Sequence, residues 1–502
     1  MTAQARTATA SVPVGAWRVD VLGRIAAGDR FAGLYGTDRD GSCELSALVT
    51  AGEGVDCLRT LVRPGSGGSL RYPALSPEVP GAFWYERALH DLSGVLPEGH
   101  PRLDPLLLPL PDGGDRPRPG LASAQRHVQS KEEAGPVDVA GRGVFTLPFG
   151  PVRSGVMESI EFLIETPGED IPHLNIRPHY KHRGIAKQFE ARTAADGVLV
   201  AERVEGISSV AHALAYCHAI ETLAAASVPP RAQLWRVVYA ELERITNHLD
   251  VTMRLADAAG LAVATARFGW HKESLMRLVS GLCGNRFGRG VVVPGGVAGE
   301  PALAAADVGS AVAQTTARVR SDLAALTSSA SFVDRLRGTG PLSAQRASEY
   351  GALGPIGRAS GFDDDDRRSR PVGAYRCLPS PAPPDLDAGD AMARARVRWH
   401  EIDTSAALIG AALEALASGP PGRGLSVTAA VGDGFAAGWA EAAQGEVVYG
   451  VEVEAGRLRR CFARSASFHN LPLLHDVFAG DIFTDFPFIE ASFGLSYAGV
   501  AM

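Results

Sequence analysis

Apolar residues recur at helical spacing through most of the chain beyond its first third and alternate mainly before it. Val210, Leu214, Cys217 and Ile220 fall on one face of a helix and predict its buried stripe. His212 and Tyr216, four apart, share a neighbouring strip of the same cylinder. A second stripe runs through Leu242, Ile245, Leu249, Met253 and Leu255 within residues 241–260. Further helices are expected over residues 302–336 and 389–418, with strands around 425–431 and 445–453. Upstream, residues 15–110 read as a small α+β unit. Cys43–Val49 alternates as a strand does, and the Gly/Ser-rich Pro64–Ser69 marks a hairpin or loop. Residues 111–142 are polar, rich in Gly and Pro and without period, so they read as a linker, and a short β region opens at Gly143. The pattern predicts an α+β protein: an accessory α+β domain over 1–110, the linker 111–142, and over 143–502 a mainly helical bundle flanked by small β regions.

Composition narrows the function. At 502 residues the chain can bury a sizeable core. Its net charge of −7 shows no basic excess, which argues against a nucleic-acid partner. No stretch approaches 18 uninterrupted apolar residues, so no membrane span is expected, and the N-terminus lacks the apolar core of a secretory signal. None of the six cysteines lies within four residues of another, which reads as buried reduced thiols rather than a metal site. No convincing Gly-x-Gly-x-x-Gly strand–helix junction is present, so NADH would act only through another subunit.

Polar and ionisable residues crowd the stretch from Arg177 to Leu223: a cationic turn (His179, Lys181, His182, Arg183), then Glu205-Gly206-Ile207-Ser208-Ser209 opening the helix that carries His212. "HRGIAK" followed by "RVEGISSVAHALAY" resembles the core of the large subunit of membrane-bound nickel–iron hydrogenases and the related quinone-pocket subunit of respiratory complex I. Trp84-Tyr85-Glu86-Arg87, Asp91-Leu92 and Gly99-His100-Pro101 are similar to the signature of complex I's small peripheral accessory subunit, which is fused to the quinone-pocket subunit in some bacterial chains. "NRFGRG" leans towards the formate hydrogenlyase branch, and the last forty residues match the family's C-terminal tail.

The resemblance implies four cysteine thiolates around nickel and iron, soft ligands that this chemistry requires. Glu205, Ser208, Ser496 and Gly499 stand at those positions here. Gln444 replaces an arginine over the site and Ala186 a proton-passing glutamate. Hydrogenase activity is therefore not expected. The complex I pattern is also altered: Gly206 falls near the quinone-contacting tyrosine, and Gly150–Gly155 lacks the pocket histidines. Arg183, Arg203, His212 and Asp257 remain, and the resemblance puts Arg183 and His212 towards an iron–sulfur cluster of a neighbouring small subunit, where such groups raise its potential.

Plainer expectations stand beside these. His212 is also readable as a hydrogen-bonded core histidine, Ser208 as the N-cap of its helix, and His179 and His182 as a solvated turn. Glu205, buried in a former metal cavity, needs a partner, with Arg203, Arg183 or Arg464 available. Glu86 with Arg87, and Asp363–Asp366 with Arg367-Arg368, read as surface pairs. The resulting expectation is a peripheral subunit on the cytoplasmic face of the cell membrane, bound to an iron–sulfur small subunit and membrane-arm subunits. No cofactor is expected on the chain itself, quinone being an acceptor the resemblance allows, and Glu205, His212 and Asp257 are the proton-handling candidates. The alternative is a redox-silent scaffold.

Overall fold

A computed structural model describes residues 12–65, 68–108, 139–153, 158–419, 424–428 and 430–502; most of the expected linker lies outside them. Three antiparallel strands, β1 (Arg30–Arg39), β2 (Ser42–Ala51) and β3 (Gly54–Val62), form the first sheet in the order β1-β2-β3. Asp40 and Gly41 join β1 to β2 with positive φ at both residues, the two-residue turn whose twist matches the strands. Helix α1 (Val14–Ala26) buries Trp17 and Val21 against this sheet, and Trp17 Nε1 donates to the Leu58 carbonyl at 3.0 Å. Helix α2 (Phe83–Ser93) sits between the short parallel strands β4 (Arg71–Pro73) and β5 (Leu96–Glu98).

The Glu86–Arg87 surface pair is not what forms. Both side chains are buried and face different partners. Glu86 accepts from Tyr72 Oη at 3.0 Å and from the Leu75 and Ser76 amides, while Arg87 meets Asp104 at 3.0 Å. The signature thus ties loops to α2.

Strands β6 (Phe145–Phe149), β7 (Glu161–Thr166) and β8 (His173–Arg177) form a second antiparallel sheet. Helix α3 (Ser209–Leu223) leads through Pro229-Pro230, with proline at the first helical position where its missing N–H costs nothing, into the long α4 (Pro230–Ala258). Helix α5 (Ala262–Cys283), the small hairpin β9 (Val292–Val293) and β10 (Gly296–Val297), helix α6 (Ala305–Thr327) and helix α7 (Ala391–Ser418) complete the bundle. The helix expected to run through 302–336 breaks at Ser328-Ser329 into two pieces. The chain then forms the third sheet, β11 (Gly434–Ala442), β12 (Gly445–Glu454) and β13 (Arg457–Arg464), and ends in α8 (Phe486–Phe493) and α9 (Tyr497–Ala501). The strand expected at 425–431 lies instead at β11. Its register is set by packing against α3, because a Cβ on Gly438 would meet the Ala215 carbonyl oxygen at 2.2 Å.

Helix α3 is buried on nearly every side rather than along one stripe; Leu214 of the expected stripe is only partly covered. Two large cores result. One joins α3–α7 to the third sheet. The other joins the first sheet, α1 and α2 to β7, β8 and the tail around Phe468–Val500. The N-terminal unit is therefore packed into the rest of the protein. Tyr35 stacks on Phe462 at 4.6 Å, and Arg30 meets Glu446 at 2.8 Å. Among the described residues no helix is long and apolar enough to cross a membrane. Cys377 is exposed and Cys283 half-buried, while the other four thiols are buried as expected.

Candidate functional site

Four segments converge at the N-terminus of α3: the 202–208 loop, the middle of α4, the turn between β11 and β12, and the tail that returns as α9. Together they bring Glu205, Ser208, Ser496 and Gly499 to one place. Ser465 Oγ donates to Glu205 Oε2 at 2.9 Å and Ser467 Oγ does so at 3.3 Å, while the Ser496 amide donates to Ser467 Oγ at 3.1 Å. A Cβ added to Gly499 would lie 1.8 Å from Glu205 Oε2. The carboxylate thus fills the space that a side chain at 499 would need.

Glu205 is buried, and of the arginines expected beside it only Arg183 acts on it, by charge rather than through a hydrogen bond. His212 Nε2 stands 3.3 Å from Glu205 Oε1, and His212 Nδ1 bonds to Tyr449 Oη at 2.8 Å. Arg203 pairs with Glu202 and Arg464 with Glu446. Arg183 donates to the carbonyls of Arg203 at 3.0 Å, Val204 and Ala498 at 2.9 Å, clamping the loop to the tail. Residue 183 is exposed, whereas His212 has no accessible surface within this chain, so of the two groups expected to face a partner's cluster only Arg183 reaches an outer face. Asp257 is exposed at the last turn of α4, about four helical turns beyond Glu243, and does not join the site.

Ser208 does not cap α3 with its hydroxyl. It donates to Gln444 Oε1 at 2.6 Å, and Gln444 Nε2 donates to Asn247 Oδ1 at 2.9 Å. The cap comes from α4: the Glu243 carboxylate accepts from the Val210 amide at 2.7 Å and the Ala211 amide at 3.0 Å. Sequence spacing missed Glu243, although Glu243, Asn247 and Asp250 recur as a polar strip at i, i+4 and i+7 of α4. That strip lines a cavity of about 400 Å³ between α4 and α5, whose inner wall is Gly206, Ile207 and Val210.

Behind the site lies a buried ion network where a solvated acidic loop was expected. Asp365, Asp366, Arg367 and Arg370 are at most 5% exposed. Arg367 pairs with Asp365 at 2.7 Å and Glu241 at 3.1 Å, and Arg358 with Glu401 at 2.8 Å and Glu441 at 2.9 Å. Only Asp363 with Arg368 keeps the expected surface pairing. Burial opposes ionisation of Glu401, but Arg358 and His248 hold it well below the usual carboxylate range. Burial lifts Glu441 to about 7 despite Arg358.

Burial, reinforced by Glu205, also lifts Glu243 to about 8 against the pull of its two amides. The folded state therefore holds this proton more tightly than the unfolded chain. Its contribution to stability is complete below the ordinary glutamate value of 4.5 and is lost as pH rises towards about 8. The melting temperature is expected to decline across that window, and Glu243→Gln to flatten the decline, as read by calorimetry at constant ionic strength. Glu401 acts in the opposite sense: its contribution is lost as pH falls below the ordinary range.

The donor set at the four converging positions is one carboxylate and two hydroxyls. It does not fit a thiolate-bound nickel–iron pair, and the Glu205 carboxylate occupies the room beside Gly499. Among the described residues no group of three or more His, Cys, Asp or Glu side chains is placed to hold a metal ion.

Several known proteins are similar to this chain in sequence, and one solved structure is similar in fold. Residues 261–423 match the family described as "Respiratory-chain NADH dehydrogenase, 49 Kd subunit", and residues 21–115 match "Respiratory-chain NADH dehydrogenase, 30 Kd subunit". Formate hydrogenlyase subunit 5 of Escherichia coli (strain K12) is 28% identical over 482 residues, covering 93% of this chain and 83% of that protein. A carbon monoxide-induced hydrogenase of Rhodospirillum rubrum is 30% identical over 357 residues, 69% of this chain and 96% of that one. The C/D subunit of NADH-quinone oxidoreductase from Bdellovibrio bacteriovorus is 28% identical over 362 residues, 70% of this chain and 64% of that one. A chain from the structure of the membrane-bound sulfane sulfur reductase, described as an archaeal respiratory membrane complex, superposes with a TM-score of 0.68 at 25% identity, covering 73% of this chain and all of that one.

Proposed function

Because the chain belongs to the family of fused complex I and membrane-bound hydrogenase large subunits, we propose that it is a subunit of such a membrane complex in which the nickel–iron centre has been replaced by an acid–hydroxyl cluster. Residues 1–110 serve as the accessory portion and 143–502 as the large-subunit portion. The protein lies on the cytoplasmic face of the membrane against membrane-arm subunits, and Arg183, with Arg203 nearby, meets an iron–sulfur small subunit. Electrons from that partner pass to quinone or another acceptor, and the Glu205–His212 pair handles the accompanying protons. The single observation that supports this best is the burial of Glu205 against His212, in the space beside Gly499. A buried carboxylate within reach of an imidazole is an arrangement that proton-handling sites use. Asp257, on an outer face, is a candidate only where a partner subunit covers it.

The purified complex tests this. Quinone reductase turnover is expected to fall about 100-fold in Glu205→Gln and in His212→Ala, with the assembly otherwise intact. Full turnover in both variants would instead support the redox-silent scaffold, a reading favoured by the absence of any thiolate at the four positions.

A further inference from the structure

We propose that Glu243 is the group through which the α4–α5 cavity exchanges protons with the cluster around Glu205, and that it latches the 205–208 loop when ionised. Three observations meet at this residue. Its carboxylate holds the Val210 and Ala211 amides, so it fixes the first turn of α3 and with it the loop carrying Glu205 and Ser208. It also lines the cavity of about 400 Å³, which gives it a route for protons that Glu205, buried behind it, lacks. The same α4 face carries Asn247, whose Oδ1 accepts from Gln444, so the latch sits one helical turn from the Ser208–Gln444–Asn247 chain.

Of the surrounding charges, Glu205 favours the proton on Glu243 and Arg244 opposes it. On α4, Asp250 is neutralised by Lys272 at 2.6 Å and Arg254 at 2.7 Å, and Arg244 is committed to Glu241 and to the carbonyls of Glu441 and Ala442. Tyr239, also on α4, is neutral across the working range because burial raises its phenol. From α5, Glu273 is paired with Arg277 and Arg286. Arg289, from the turn after α5, reaches Ser209 Oγ at 3.4 Å. Glu205, on the loop itself, stands 3.3 Å from His212, and Arg183 acts on it by charge from the outer face while donating to the Val204 and Ala498 carbonyls. Negative charge arriving at the cluster would therefore favour protonation of Glu243 from the cavity, and burial sets that exchange near about pH 8. Protonation weakens the acceptor that two amides share, so uptake of the proton loosens the loop. Only a proton moves in this step, from cavity water to a carboxylate oxygen.

The latch rests on the reading of Glu205 as a proton-handling group, but its test needs no electron transfer. Hydrogen exchange of the segment spanning Ser208–Tyr216, followed by mass spectrometry between about pH 6 and pH 10 and corrected for intrinsic rates, reads the latch directly. Global stability falls with rising pH, but a local opening that frees the two amides while Glu243 stays in the cavity wall has the opposite sign. Protection against that opening is expected to rise with pH about a midpoint near 8, to lose that step in Glu243→Gln, and to shift the midpoint down by about one unit in Glu205→Gln. Circular dichroism verifies that each variant is folded. Protection without a step, or a midpoint unmoved in Glu205→Gln, would overturn the proposal. A clear step together with full turnover in Glu205→Gln would leave the latch intact while removing the electron-transfer reading.

Discussion

Gly499→Ala is expected to destabilise the protein by about 1–3 kcal/mol, the usual cost of overpacking a filled interior. Alanine in place of a helical glycine normally stabilises by about 0.5–1 kcal/mol, so the sign alone is informative. The reason is the 1.8 Å approach of the new Cβ to Glu205 Oε2, with Ser465 Oγ a further 2.9 Å neighbour. Glu205 cannot step aside, because it is buried and held by Ser465 and Ser467. In Glu205→Ala the same change should cost much less. Urea denaturation of the two single variants and the double variant gives the coupling, expected at about 1–3 kcal/mol. Additive effects would mean that the two positions do not share one space.

Arg358→Met should be the most damaging of the conservative-volume changes. This guanidinium is 2% exposed and stands between Glu401, Glu441 and Asp365. Removing one member of a buried ion pair leaves the other uncompensated, at a cost of about 3–5 kcal/mol. The loss should be larger at neutral pH than in mild acid, because Glu441, lifted to about 7, can then take a proton and shed its charge. Chemical denaturation at two pH values checks both the size and the direction. Loss of less than about 1 kcal/mol would place Arg358 among exposed pairs, against its burial.

What the sequence revealed and concealed follows from distance along the chain. The apolar residues of α4 are readable because their spacing is local, and Leu242, Ile245, Leu249 and Leu255 are indeed fully buried. The convergence of the 205–208 loop with the 496–499 tail rested on the resemblance, since no local pattern links residues nearly three hundred positions apart. Ser208 has the composition of a cap, yet the capping carboxylate comes from Glu243 on another helix, a partnership that spacing cannot show. The acidic run at 363–366 looked solvated because its countercharges, Arg358 and Arg370, are flanking while its competitors Glu241, Glu441 and Glu446 come from elsewhere. Strand β11 lies beyond the expected position because Gly-Phe-Ala-Ala-Gly-Trp-Ala is poor in β-branched residues and gives little strand signal. Its small residues are what let α3 pack onto it. The polar linker suggested separate cores; the tail residues that join the N-terminal unit to the rest lie almost four hundred positions away.

The proposed replacement of the metal centre is tested most directly by elemental analysis of the intact complex purified without chelators. Nickel is expected far below one equivalent per chain, in wild type and in Glu205→Ala alike. One equivalent of nickel per chain, lost on substitution of Glu205 or Ser496, would contradict that replacement.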